Sequence, residues 1–327
     1  MTEKDYSISC VRLISLLLIV TCHMMQYCDF FLAWWFNVGV QIFLCISGYL
    51  YGQRSMKDIP AFVNKRLKKI LLPYYITFVT VAILQYFFVR DKIDLNRFFG
   101  GLILNKHLAG GDHLWFIPVI LICYAVLILL DKYKEKYVKN SDSFFIFFVA
   151  SIVVAFVVFV LVFSYFRTDC IICYILGYCL GVNDTGKYIP YKFFVGLFSF
   201  FAIIGNGIQI YFVIIGESII PKELIELYSL FRIYNHVTLG IFLFIVLKFI
   251  FDKVMFRPSM RAFLDKTDAY SYEVYVVHQF VILGPFSLMR ITNVLPLNIF
   301  IILLAVIALG VLLKLIDSHI FFGARKN

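Results

Sequence analysis

The sequence predicts an all-α polytopic membrane protein, a bundle of about ten transmembrane helices with N- and C-termini cytoplasmic. Three observations carry that prediction. Of 327 residues, 62% are apolar and only 15% charged, whereas soluble domains are about half apolar and a quarter charged. The apolar residues fall into runs of the length that crosses a hydrocarbon layer roughly 30 Å thick. The basic residues collect in short clusters between those runs, as in cytoplasmic loops. The net charge of +10 is thus a topology signal. No nucleic-acid partner is expected, because no basic amphipathic face accompanies it.

The first run, residues 8–27, is read as a retained span, since no small-residue cleavage site precedes the next run. Further runs long enough to cross lie at 33–51, 70–89, 114–130, 144–163, 192–214, 229–251, 271–289 and 295–316. Residues 170–182 rise only about 20 Å at roughly 1.5 Å per residue, so this crossing needs the help of residues 164–169. Ten spans place nineteen Lys and Arg residues inside and seven outside. Omitting 170–182 would move the basic loop 252–270 outside, against the positive-inside bias.

The segment 90–113 contains the apolar patch Phe98 to Leu104 and the pair Gly110-Gly111. It is read either as an element that dips into the interface or caps a site, or as an ordinary loop. No repeat or linker interrupts the chain, so residues 1–327 are read as a single integral-membrane domain. The eight cysteines lie in or beside apolar runs, where a thiol behaves as a small hydrophobe. Cys170-x-x-Cys173 lacks both a βαβ context and a partner pair, so no disulfide framework and no metal site are expected.

Ionisable residues inside spans cost roughly 2.5–3.5 kcal/mol on insertion scales, which makes each a functional candidate. Arg12 and His23 are eleven residues apart, and eleven steps of about 100° return to within about 20° of the starting face. The two share a stripe of the first helix, separated by a rise of roughly 16 Å. Arg12 alone also fits a residue that snorkels to the headgroups, and His23 alone a helix-packing histidine. A buried histidine stays neutral and accepts a proton, which is the profile of a general base.

With those residues in view, the chain resembles the integral-membrane acyltransferase family 3, bacterial proteins that O-acylate sugars and other envelope acceptors. Its first helix carries an arginine and a histidine with ten residues between them, matched here by Arg12 and His23. The resemblance continues through Phe43-Leu44-Cys45-Ile46-Ser47-Gly48-Tyr49, then Arg66-Leu67-Lys68-Lys69 before Ile70 and Pro73. It extends to His113-Leu114-Trp115-Phe116 and to Tyr272–His278. Two departures stand out: Lys69 replaces the family's second cytoplasmic arginine, giving a point charge in place of a bidentate fork, and no extracytoplasmic hydrolase-like domain is appended.

The resemblance implies a membrane O-acyltransferase, a multi-pass protein of the bacterial cell membrane. Its donor would be acyl-coenzyme A, acetyl-CoA by default, used as a substrate with no permanently bound cofactor. Its partners would be membrane lipids and a glycan or other envelope acceptor. On this reading Lys65, Arg66, Lys68 and Lys69 hold the anionic nucleotide end, Arg12 stands at the channel mouth, and the pantetheine arm follows the stripe to His23. The same basic cluster also suits anionic lipid. His23 either deprotonates the acceptor hydroxyl or carries the acyl group itself. His113, Trp115, Tyr275 and His278 are candidate acceptor-binding residues, and Ser47-Gly48 reads as a place of close helix approach. A multi-span transporter or flippase for an envelope precursor is the competing reading, although matching broken helices in two halves are missing.

Overall fold

The computed structural model describes residues 4–89, 94–161 and 167–323. Those residues are helical, with no β-strand among them. The helices are α1 (Tyr6–Tyr27), α2 (Ala33–Phe36), α3 (Gly39–Gly52), α4 (Ile59–Phe88), α5 (Leu95–Leu102) and α6 (Phe116–Tyr137). They continue with α7 (Ser141–Leu161), α8 (Thr168–Val182), α9 (Tyr191–Ile215), α10 (Ile225–Phe251), α11 (Pro258–Ile282) and α12 (Leu295–Gly323). Among the described residues, eight segments are long and apolar enough to cross a membrane. The polytopic all-α class expected from composition is therefore present.

The two remaining expected spans depart from the pattern for different reasons. α8 has only 15 residues, and the extension through 164–169 lies partly outside the described residues. Helix α11 is long enough, but its first half is polar, with Arg261, Asp265, Lys266 and Asp268. Two boundaries also need correction. The third expected span is helix α4, which begins at Ile59, eleven residues before the expected run, because the Asp58 side chain accepts the Ala61 N–H at 3.0 Å and Pro60 fits the first turn. The basic cluster 65–69 is thus helical. The ninth expected span is helix α11 at 258–282 instead of 271–289, ending just before Gly284-Pro285, which cannot continue it.

The chain divides into two compact units of interleaved segments. The first comprises residues up to 15, 37–57 and 122–255; the second comprises 16–36, 58–121 and 256 onward.

In the first unit α3 and α8 pack backbone to backbone. A Cβ on Gly48 would collide with the Tyr174 carbonyl oxygen, and one on Gly177 or Gly181 with the carbonyl oxygens of Cys45 or Tyr49. Small residues four apart on both helices permit this approach, as expected at Gly48. Residues Thr168–Gly181 are all buried, so α8 needs no lipid-facing length. Cys170 and Cys173 lie within it as free, buried thiols. Beside this pair, the buried Asp131 accepts the Met56 N–H at 2.8 Å and the Tyr178 hydroxyl at 3.0 Å. Lys134 Nζ lies 2.7 Å from the same carboxylate, so the charge is compensated.

In the second unit α11 packs on α12 and α4. The Tyr272 hydroxyl donates to the Ile70 carbonyl at 2.8 Å, and Lys314 Nζ pairs with the buried Glu273 at 2.8 Å. Helix α5, in the segment read as a cap or a loop, is seated on α4. Phe98 stacks on Phe78 with centroids 5.5 Å apart, and the Tyr74 and Tyr75 hydroxyls donate to the carbonyls of Gly101 (2.7 Å) and Leu102 (2.8 Å). Leu95, Phe99 and Ile103 point outward, giving an amphipathic helix of the interfacial kind.

Candidate active site

Three histidines far apart in sequence meet inside the second unit. His23 comes from α1, His113 from a 3-10 turn at Asp112–Trp115 that opens α6, and His278 from the last turns of α11. The His23 and His278 ring centroids are 5.1 Å apart, those of His113 and His278 4.7 Å, and those of His23 and His113 6.3 Å.

The local fold explains why the His113 turn sits here. Gly110 adopts φ +78°, and a Cβ on it would collide with the Gly284 Cα. Glycine alone satisfies both demands. Gln85 Nε2 donates to the Ala109 carbonyl at 2.9 Å, which ties the loop to the end of α4. Asp112 is exposed at the mouth of the turn, and His107 precedes it on the loop. Burial holds the His107 imidazole below its usual pKa, Asp112 opposes that shift, and Arg97 adds to it.

Hydrogen bonding gives the three rings different roles. His113 Nε2 donates to the Val276 carbonyl at 3.0 Å. Gln279 Oε1 accepts the His113 backbone N–H at 2.6 Å and lies 2.6 Å from its Nδ1. The Tyr275 hydroxyl donates to the His113 carbonyl at 2.7 Å. This ring is held on all sides, with Phe280 and Tyr275 against its edges, and offers neither nitrogen to a ligand. His278 Nδ1 lies 2.6 Å from the Tyr275 carbonyl; a carbonyl only accepts, so Nδ1 carries the proton and Nε2 the lone pair. That Nε2 is buried without a hydrogen-bond partner.

His23 is the partly accessible member. Gln26 Oε1 lies 2.6 Å from its Nδ1, which places the proton on Nδ1 and leaves Nε2 as a lone pair. Such a ring can take a proton from a hydroxyl. One turn beyond, the Tyr27 hydroxyl accepts from Arg290 Nε at 2.9 Å, which puts a cation at this end of α1.

The other expected residues fall as follows. Arg12 is half-buried in the part of α1 that belongs to the first unit. On α4, Lys65, Lys68 and Lys69 are exposed and Arg66 is half-buried, its guanidinium 5.7 Å from the Phe62 ring centroid. At about 100° per residue these four occupy an arc of roughly 160°, one basic face. Trp115 is half-buried beside Phe116, with centroids 6.3 Å apart. Tyr275 and His278 are buried, closing the floor of the cluster. Among the described residues, no group of three or more His, Cys, Asp and Glu side chains is arranged to hold a metal ion.

Gln26, Gln279, Tyr27 and Arg290 escaped the sequence reading. Their signal was present: Gln26 and Gln279 are uncharged amides inside or beside apolar runs, and Gln26 lies three residues after His23, on the same helix face.

A family model described as an acyltransferase domain matches residues 5–315 of this chain. No curated protein and no solved structure matches it.

Proposed function

The chain belongs to acyltransferase family 3, and from that premise we propose that it moves an acyl group from acyl-coenzyme A to a hydroxyl of an extracytoplasmic or lipid-linked glycan. Acetyl is the proposed acyl group and the bacterial cell membrane the proposed setting. The observation that carries the reading is the state of His23, a partly accessible imidazole whose Nδ1 is engaged by Gln26 and whose Nε2 is a free lone pair.

The proposed chemistry follows from that lone pair. Nε2 takes the proton of the acceptor hydroxyl as the oxygen attacks the thioester carbonyl. The tetrahedral intermediate then collapses, the C–S bond breaks, and the proton passes to the departing thiolate. The basic face of α4 suits the phosphates of the donor's nucleotide end. Arg12 lies on the same face of α1 as His23 and roughly 16 Å along its axis, in keeping with a second contact to the donor arm. Direct transfer is the simpler course, because an acyl-histidine would need the same lone pair to act as nucleophile while a second base served the acceptor.

The test uses the full-length protein in membranes, supplied with acyl-labelled coenzyme A, with label on envelope glycan as the readout. His23→Ala is expected to lose at least about a hundredfold in transfer while keeping its thermal unfolding midpoint. A folded His23→Ala protein with wild-type transfer would overturn the role of base.

A further inference from the structure

The first unit holds an apolar groove that the histidine chemistry does not use. Helices α6 and α7 are joined by the short loop 138–140, yet α7 packs on α8 and leaves between itself and α6 a space of about 640 Å³. Residues of α6 from Val126 to Tyr137 form one bank, residues of α7 from Ser143 to Val158 the other, and the buried Ile175 of α8 lies at the floor. Apolar side chains that face lipid are ordinary in a membrane protein, but a trough of this size falls within the range of ligand pockets. At about 1.5 Å per residue the α6 bank rises roughly 16 Å and the α7 bank roughly 22 Å. Half of a hydrocarbon layer is about 15 Å thick, so the trough runs the depth of one leaflet.

The two serines of the groove are already engaged. Ser151 Oγ donates to the Phe147 carbonyl of its own helix at 2.7 Å. Ser143 Oγ accepts the Lys139 and Asn140 N–H groups at 2.9 Å each and donates to the Asn140 carbonyl at 3.0 Å. Polar groups gather instead at one end of the trough. There the exposed Tyr133 and Tyr137 stack with centroids 5.7 Å apart, and Lys136 Nζ lies 5.0 Å from the Tyr137 ring centroid. Such aromatic residues mark the boundary between water and lipid, and the lysines mark its cytoplasmic side. At about 100° per residue, Lys136 stands within about 20° of the groove face of α6 and Lys132 one turn before it, whereas Glu135 points to the far side of the helix. Lys134 is paired with Asp131. On the α7 bank a single carboxylate, Asp142, opposes the two ammonium groups of Lys132 and Lys136.

A trough with apolar walls and cations at its cytoplasmic mouth calls for an amphiphile of the opposite charge. We propose that the groove between α6 and α7 binds one anionic phospholipid of the cytoplasmic leaflet, with an acyl chain between the banks and the phosphate at Lys136 and Lys132. A zwitterionic lipid would fill the trough equally well, but each basic residue near the surface favours the anionic one by about fivefold. A helix of a second chain fits less well. With its side chains it is about 10–12 Å across and packs closely only against small residues, whereas Leu129, Ile146 and Val154 project from the banks. Such a lipid would be held whatever the reaction at His23.

The experiment places the full-length protein in vesicles of equal parts dioleoylphosphatidylglycerol and dioleoylphosphatidylcholine, extracts it into mild detergent and counts bound lipid by native mass spectrometry. Wild type is expected to keep a phosphatidylglycerol molecule on each chain, favoured about fivefold or more over phosphatidylcholine. Ala150→Trp fills the groove from an exposed position and is expected to lose that lipid. Val149→Trp, its exposed neighbour outside the groove, is expected to keep it. Lys132→Gln together with Lys136→Gln, both at exposed positions, is expected to bring the two lipids within about twofold of each other. Equal retention of the two lipids by wild type overturns the proposal, as does full retention of phosphatidylglycerol by Ala150→Trp. A wild-type dimer that Ala150→Trp separates also overturns it and assigns the groove to a second chain. The lysine variant leaves the packed helices untouched and supplies a reading that does not depend on the tryptophan: an unchanged preference in it overturns the anionic head group.

Discussion

One amide joins Gln279 to His113 twice: its Oε1 accepts the backbone N–H at 2.6 Å and stands 2.6 Å from Nδ1 of the ring. The end of α11 therefore fixes both the turn that opens α6 and the orientation of the imidazole it carries. A rigid His113 in turn forms one wall against which His23 and His278 are packed.

Gln279→Leu removes that acceptor and leaves the buried backbone N–H of His113 without a partner. An unsatisfied buried donor costs about 1–3 kcal/mol, so a drop in the thermal unfolding midpoint of a few degrees is expected in detergent. A midpoint equal to that of wild type would mean the amide has no structural weight.

The α3–α8 contact has no room for side chains at its glycines. Gly181→Val is expected to prevent assembly of the first unit, because the added Cβ meets the Tyr49 carbonyl oxygen, which is backbone and cannot swing aside. Gly207→Ala is the control, since nothing lies within 4 Å of a Cβ there. Yield and size-exclusion profile distinguish the two; a monodisperse Gly181→Val protein at normal yield contradicts the prediction.

Neutralising the basic face of α4 with Lys65→Gln, Arg66→Gln, Lys68→Gln and Lys69→Gln together is expected to raise KM for acyl-coenzyme A by tenfold or more. The catalytic step should change little, since these residues are assigned to uniform binding of the donor. Wild-type donor affinity should also weaken with added salt, as screened charge contacts do. Unchanged KM in the quadruple variant would assign the face to anionic lipid.

His107 supplies a pH dependence outside the spans. Burial lowers its pKa from the usual 6.5, with Arg97 acting in the same direction and Asp112 against it. The unfolded chain therefore binds a proton near pH 6.5 that the folded protein refuses. Stability from this residue is complete above about 6.5 and declines as pH falls below it toward the lowered folded value. Unfolding midpoints measured between pH 7.5 and 5 should fall less steeply for His107→Gln than for wild type; parallel curves would remove His107 from the pH response.

Much of this protein was legible without coordinates. Runs of apolar residues marked the helices because a span must satisfy every backbone group within itself. Their boundaries were weakest where other forces act. Good helix formers and the Asp58 cap carried α4 through the basic cluster, and a polar first half was no obstacle to α11. The Arg12–His23 spacing was visible because it is a property of one helix, set by 3.6 residues per turn.

The sequence by itself determined the all-α membrane class, the approximate spans, and the single histidine face of α1. Tertiary structure alone decided that His113 and His278 stand beside His23, that Gln279 holds the backbone N–H of His113, and that α8 is buried against α3. The reason is range: helical periodicity is local, whereas these contacts join residues more than 80 positions apart. Their geometry depends on how Gly110 and Gly284 let a loop close on the end of a distant helix.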